Sequence, residues 1–212
     1  MTITLHDYWR SGAAWRVRIA LNLKGLDYAQ VPHNLRTGEQ RDPAYRAINP
    51  QALIPALEAD GAVLTQSLAI LEWLEETQPS PPLLPADPLD RAHVRAMAAI
   101  VACDIHPLNN LRVLNSLSDD LGAAEGASHA WIARWIAPGF AALEKMIARH
   151  GGLYAFGDTP TFADCCLVPQ VASALRFKVD LTPYRAICRV AETCAAHPAI
   201  AAAHAGLQPD AD

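Results

Sequence analysis

Five prolines fall within the ten residues Pro79-Ser-Pro-Pro-Leu-Leu-Pro-Ala-Asp-Pro88, and nothing else in the chain limits its folding so sharply. Each proline fixes φ and removes a backbone donor, so the stretch is unfit for a helix interior or a paired strand. It reads as a semi-rigid linker. The 212 residues are thereby divided into a domain at 1–80 and another at 89–212, each long enough to bury a core.

The two sides differ in period. Before the linker, Ile3–Leu5 and Tyr28–Val31 read as short strands. Residues 13–24 set Trp15, Ile19 and Leu23 on one helical face, with Gly25 as the stop. Ile54–Leu57 and Ala62–Leu64 flank Asp60-Gly61, a hairpin signal, and a second helix follows over 66–77. This order predicts a small α/β unit with a mixed sheet. After the linker, strand signals all but vanish. The Ala- and Leu-rich spacing over 89–115, 128–149, 161–176 and 184–196 predicts an all-helical domain. Thr161-Phe-Ala-Asp164 resembles a capping box, with Asp where Glu or Gln is usual.

With 22 acidic and 17 basic residues, the net charge is −5. That balance argues against a phosphate-tracking surface and against nucleic acid as a partner. No basic leader followed by an apolar run opens the sequence, and no apolar stretch is long enough to span a membrane. The cysteines (Cys103, Cys165, Cys166, Cys188 and Cys194) are odd in number and lack a CxxC pair, as expected of buried thiols in a cytoplasmic protein. Fourteen of the basic residues are Arg and three are Lys. Planar guanidinium forks suit carboxylate recognition.

Four segments carry a family resemblance. Arg10-Ser-Gly-Ala-Ala-Trp-Arg-Val-Arg-Ile-Ala-Leu21 is similar to the signature of zeta-class glutathione transferases. Asn49-Pro-Gln-Ala-Leu-Ile-Pro-Ala-Leu57 and Gln66-Ser-Leu-Ala-Ile-Leu-Glu-Trp-Leu-Glu-Glu76 resemble that family's pre-hairpin segment and glutathione-reading helix. Gly157–Asp164 with Arg176-Phe-Lys-Val-Asp-Leu-Thr-Pro183 resembles its C-terminal pattern. The resemblance spans nearly the whole chain. It implies a thioredoxin-like α/β N-terminal domain, an all-α C-terminal domain and a homodimer. It also implies glutathione as cofactor. The implied activity is cis–trans isomerisation of a small dicarboxylic maleyl keto acid in aromatic or tyrosine catabolism. The family usually reads Ser-Ser-Cys where this chain has Ser11-Gly12-Ala13. A mechanism using a protein cysteine there is absent, while one resting on the glutathione thiol is untouched.

The resemblance assigns residue roles. A thiol with a pKa of about 8.5 is only slightly ionised at neutral pH. Ser11, just before the first helix, would act on the glutathione sulfur, cap the helix, or do both. Pro55 would be cis, turning the backbone of Ile54 towards the glutathione peptide; a trans proline opening an edge strand is the alternative. Gln66 and Ser67 would form an anion site for the γ-glutamyl carboxylate at a helix start. Gln51, Gln40 and Arg41 are weaker candidates for the glycine end. His106 and Asn110, placed on the long first helix of the second domain, would donate to glutathione or substrate; packing in the core is the alternative for His106. Arg10, Arg112 and Arg176 would bind substrate carboxylates, with Arg10 and Arg176 also catalytic, against surface salt-bridging as the plainer role. Arg16 and Arg18 are assigned to structure. Cys103 and His106 lack further clustered ligands, so no metal site is expected. A dithiol oxidoreductase is excluded by Ser11-Gly-Ala-Ala14 where CxxC would stand. Conjugation, α-haloacid dehalogenation and a non-catalytic binding module remain as rivals.

Overall fold

Strand β1 (Ile3–Asp7) lies inside a four-stranded sheet of order β2-β1-β3-β4. The computed structural model describes residues 2–124 and 126–212, so Met1 of the predicted first domain lies outside the described residues. β1 runs parallel to β2 (Ala29–Pro32) and antiparallel to β3 (Ala56–Ala59), which pairs antiparallel with β4 (Ala62–Thr65). Asp60 and Gly61 both have positive φ, 48° and 86°, as a two-residue hairpin turn of the primed type demands. Leu5 pairs with Leu57 and Leu57 with Leu64, giving the sheet an apolar face. On the opposite face His6 lies beside His33 and Tyr45, the latter carried by α2 (Pro43–Ile48).

The parallel β1–β2 pair needs a crossover, supplied by α1 (Gly12–Leu23). Its end is set by Gly25 at φ 65°: the Gly25 N–H donates to Asn22 O and the Leu26 N–H to Leu21 O. These two bonds are a Schellman termination, which glycine adopts without a Cβ penalty. Of the three residues set on one helical face, Trp15 and Ile19 are buried, whereas Leu23 is only partly covered. Helix α3 (Ser67–Thr77) packs against α1. The proline segment is anchored by Lys24, whose ammonium donates to Glu75 Oε2 (2.8 Å), Gln78 O (2.6 Å) and Pro81 O (3.0 Å). Glu75 also accepts from the Leu83 N–H at 2.9 Å. A buried ammonium thus has its donors satisfied jointly by the end of α3 and the linker.

The chain forms two units. The first reaches Leu83 and also takes in Ala195–Asp212; the second is Leu84–Cys194. The expected second domain, 89–212, therefore differs from the observed unit at its end. After α8 (Arg185–Ala196), the short α9 (Pro198–Ala202) packs on α1, with Ile200 buried.

The second unit contains α4 (Pro88–Ala99), α5 (Leu111–Asp119), α6 (Ala127–His150) and α7 (Phe162–Arg176), together with most of α8. The single helix expected over 89–115 is not continuous. After α4 the backbone widens into a π segment, Ile100–Ile105, then tightens to a 3-10 turn, His106–Asn109, before α5. Pro107 accounts for the break, because it has no N–H and its ring crowds the carbonyl four residues back. His106 therefore starts a turn instead of lying within a long helix. Gly139 of α6 meets this segment, where a Cβ would overlap the Ile105 side chain.

The capping box at α7 is present, and Asp164 is its centre. Its fully buried carboxylate accepts from the N–H groups of Ala155 and Thr161, each at 2.8 Å, and from the Thr161 hydroxyl at 3.0 Å. Burial pushes its pKa up to about 6, although these three donors pull the other way. The folded state consequently holds this proton more tightly than the unfolded chain. The resulting stabilisation is complete below about pH 4 and is lost as pH rises through about 6. Asp164→Ala orphans two buried N–H groups and is expected to cost about 3 kcal/mol in urea unfolding at pH 7. The gap from wild type should widen as the pH is lowered towards 4. Of the five cysteines, Cys165, Cys166 and Cys194 are buried and Cys188 partly so, but Cys103 is exposed, contrary to expectation. It lies in the widened π segment, beside exposed Asp104.

Candidate active site

Ser11 has an extended backbone (φ −67°, ψ 112°), and its Oγ accepts from the Ala14 N–H at 3.3 Å. It is thus the N-cap of the 12-residue α1, and its partly exposed hydroxyl keeps a proton to donate. The unpaired amides of the first helical turn add positive potential there. Arg10 precedes it, with the guanidinium carbon 5.3 Å from the Trp9 ring centroid. Trp9 and Ser11 sit on the turn that joins β1 to α1.

The Ile54–Pro55 bond is cis, as the resemblance implied, and it immediately precedes β3. The carbonyl just upstream, that of Leu53, accepts from Tyr45 Oη at 2.6 Å and from Asn49 Nδ2 at 2.7 Å. Burial raises the Tyr45 phenol to about 12, so it remains a donor at physiological pH. Gln66 has φ 69°, a left-handed value that a non-glycine residue adopts at a cost, and α3 starts directly after it. Its side chain makes no cap bond; Nε2 donates to Gln51 Oε1 at 2.7 Å, bringing those two candidates together.

Ser67 is buried at the first position of α3, and its Oγ accepts from Arg16 Nη1 at 3.1 Å. Arg16 is 2% exposed. A guanidinium under the start of a helix strengthens an anion site that backbone N–H groups already favour. Arg16, assigned to structure from sequence, thus contacts a candidate binding residue. Helical spacing from Ser11 shows that it lies on α1 but cannot show which neighbouring element it reaches. Arg18 does fill the predicted structural role. Gln40 is buried in a short 3-10 turn, while Arg41 beside it is exposed.

The other candidates belong to the second unit. Asn110 caps α5, its Oδ1 accepting from the Arg112 N–H at 3.1 Å. His106 and Asn110 are partly exposed, and the Arg112 side chain is exposed on the first turn of α5. Arg176 ends α7, exposed, with its guanidinium carbon 4.7 Å from the Phe177 ring centroid. Among the described residues, no three His, Cys, Asp or Glu side chains gather as a metal site, and no helix is long and apolar enough to cross a membrane.

Comparison with known proteins agrees with this architecture. The glutathione S-transferase N-terminal domain matches residues 10–77, and the glutathione S-transferase C-terminal domain matches residues 129–205. Fold and matches together define a two-domain glutathione transferase. A maleylpyruvate isomerase from Ralstonia sp is 52% identical over 208 residues, covering 97% of this chain and 98% of the relative. The holo structure of a maleylpyruvate isomerase, a bacterial glutathione S-transferase of the zeta class, superposes with a TM-score of 0.97 at 52% identity, covering 99% of this chain and 100% of that one. A maleylacetoacetate isomerase from Anaeromyxobacter dehalogenans, solved with dicarboxyethyl glutathione and citrate bound, gives a TM-score of 0.89 at 45% identity, covering 100% of this chain and 98% of that one. The chain belongs to the zeta-class glutathione transferase family of maleylpyruvate and maleylacetoacetate isomerases.

Proposed function

We propose that the protein is a glutathione-dependent cis–trans isomerase that converts a maleyl keto acid, maleylacetoacetate or maleylpyruvate, to its fumaryl isomer in aromatic-compound catabolism. The observation that carries this reading is the pairing of two helix starts. Ser11 presents a hydroxyl at the start of α1, and Ser67 presents another at the start of α3 over the buried Arg16. One is suited to a sulfur anion and the other to a carboxylate, as the central thiol and the γ-glutamyl end of such a cofactor require.

These donors fit glutathione. Ser67, Gln66 and the first amides of α3 would hold its γ-glutamyl carboxylate. Ile54, ahead of cis Pro55, would hold its peptide, and Gln51 its glycine end. His106 and Asn110 are assigned as further donors to it. When bound, glutathione supplies a thiolate for reversible addition across the cis double bond, which as a single bond is free to rotate.

Ser11 would donate a hydrogen bond to the sulfur, adding to the helix-terminal potential and favouring the ionised thiol. Arg10, Arg112 and Arg176 would bind the substrate carboxylates through their forks. Arg10 and Arg176 would also stabilise negative charge that develops on the keto oxygen. The related isomerase with dicarboxyethyl glutathione supports this chemistry, since that compound is the adduct of the glutathione thiol with a butenedioate. We assign the working form to a cytoplasmic homodimer, in keeping with the family and with an odd number of cysteines that lack a CxxC pair.

The test is loss of the maleyl absorbance with glutathione present in catalytic amount. Many turnovers per glutathione are expected. Consumption of one glutathione per turnover would instead establish conjugation and overturn the isomerase reading.

A further inference from the structure

The turn that carries Arg10 and Ser11 is fixed from a distant part of the sequence. Within the turn, the Tyr8 N–H donates to Asp7 Oδ1 at 2.6 Å and the Ser11 N–H to Tyr8 O at 2.8 Å. Both backbone polar groups of Trp9, between them, are held from outside it. The Trp9 N–H donates to Asp210 Oδ2 at 2.9 Å, and the Trp9 carbonyl accepts from Arg18 Nη2 at 2.8 Å. Arg18 in turn donates through Nε to Ala203 O at 3.2 Å.

The segment bearing Asp210 is itself fixed. Buried Gln208 accepts from Gln30 Nε2 at 3.0 Å and donates to Ala202 O and His204 O at 3.2 and 2.7 Å. Two residues beyond Asp210, Asp212 accepts both nitrogens of the Arg36 fork at 2.7 and 3.1 Å. The Arg36 guanidinium lies 6.0 Å from the Trp9 ring centroid and that of Arg10 lies 5.3 Å from it. Trp9 is therefore gripped through its N–H, its carbonyl and its ring, and Arg10 rests on that ring.

We propose that Asp210 is a positioning residue: by holding the Trp9 N–H it orients the turn so that the Arg10 guanidinium and the Ser11 hydroxyl stand ready for substrate and sulfur. Removing the carboxylate frees the peptide plane between Tyr8 and Trp9 to tilt. The residues that follow are carried with it. Asp210, Asp212, Glu39, Asn34 and Trp9 line an open recess of about 180 Å³. Water entering that recess can satisfy the released N–H, so the variant keeps its fold while losing the orientation. This inference rests on the roles given above to Ser11 and Arg10.

Three proteins test it: wild type, Asp210→Ala and Asp210→Asn. For each, the ultraviolet absorbance of the bound glutathione thiolate is titrated against pH, kcat and KM are measured with the maleyl substrate, and the melting midpoint is recorded. Asp210→Ala is expected to raise the apparent thiol pKa by about half a unit to one unit. It is expected to lower kcat about tenfold through the thiolate and to raise KM for the maleyl substrate severalfold through the displaced Arg10. Asp210→Asn keeps an acceptor oxygen and should stay near wild type. An Ala variant with wild-type pKa and kcat, or a lowered midpoint with unchanged pKa, would overturn the proposal. So would equal impairment of the Ala and Asn variants, which would make charge the cause. If wild type itself gives neither thiolate nor turnover, the assigned function falls, and the positioning role with it.

Discussion

Ser11→Ala should raise the apparent pKa of bound glutathione by about one to two units, the equivalent of one hydrogen bond to a charged group. Below that range, where the thiolate fraction limits the rate, turnover should fall about 10- to 100-fold. The deficit should close as pH rises past the variant's own pKa, because both enzymes are then fully ionised at sulfur. Helix capping predicts something else. Loss of the Ala14 N–H bond at 3.3 Å costs about 1 kcal/mol of stability and leaves the pH profile in place. Ser11→Gly separates the two roles, since glycine is nearly as good an N-cap but offers no hydroxyl. A Gly variant that melts close to wild type yet shows the displaced profile would assign the effect to the hydroxyl. A pH–rate profile unchanged in both variants would remove Ser11 from the chemistry.

Arg18→Ala is expected to be the most destabilising single change, at about 3–5 kcal/mol in denaturant unfolding of the whole chain. Arg18 and Asp7 are 0% and 1% exposed at their side chains, and Nη1 lies 2.8 and 2.7 Å from the two carboxylate oxygens. Truncation leaves the Asp7 carboxylate buried with only the Tyr8 N–H and Gln30 Nε2 (3.0 Å) as neutral donors. It also strands the carbonyls of Trp9 and Ala203. Arg18→Lys should recover part of the loss, because one ammonium cannot reproduce the fork. The double variant Arg18→Met/Asp7→Leu should be far milder than Arg18→Ala, since the cost lies in an uncompensated charge more than in the missing pair. A loss below about 1 kcal/mol for Arg18→Ala would show that water reaches Asp7.

Much of the fold is legible in the sequence, because it rests on local signals. Gly25 ends α1 with two bonds that only nearby residues make, and Asp60-Gly61 closes its hairpin through its own backbone. What escapes the sequence is decided by partners far along the chain. The break over 100–109 is the exception, since Pro107 marks it locally although the helical spacing over 89–115 reads through it. Periodicity also cannot assign Pro198–Ala202 to the first unit, since that depends on its packing against α1. The site divides in the same way. Ser11 and Ser67 are visible as helix starts, but the link from Arg16 to Ser67 and the hold of Asp210 on Trp9 join residues 51 and 201 positions apart.

The division at Leu83 and Cys194 bears on how the chain matures. The helical unit is one uninterrupted stretch, whereas the sheet unit is made of two pieces that flank it in sequence. During synthesis from the N-terminus, the helical unit is complete while the sheet still lacks α9, Gln208 and Asp210. Until Ala203 emerges, the Arg18 guanidinium has no carbonyl there to meet. The sheet unit, whose strands precede the helical unit in sequence, is thus completed after it.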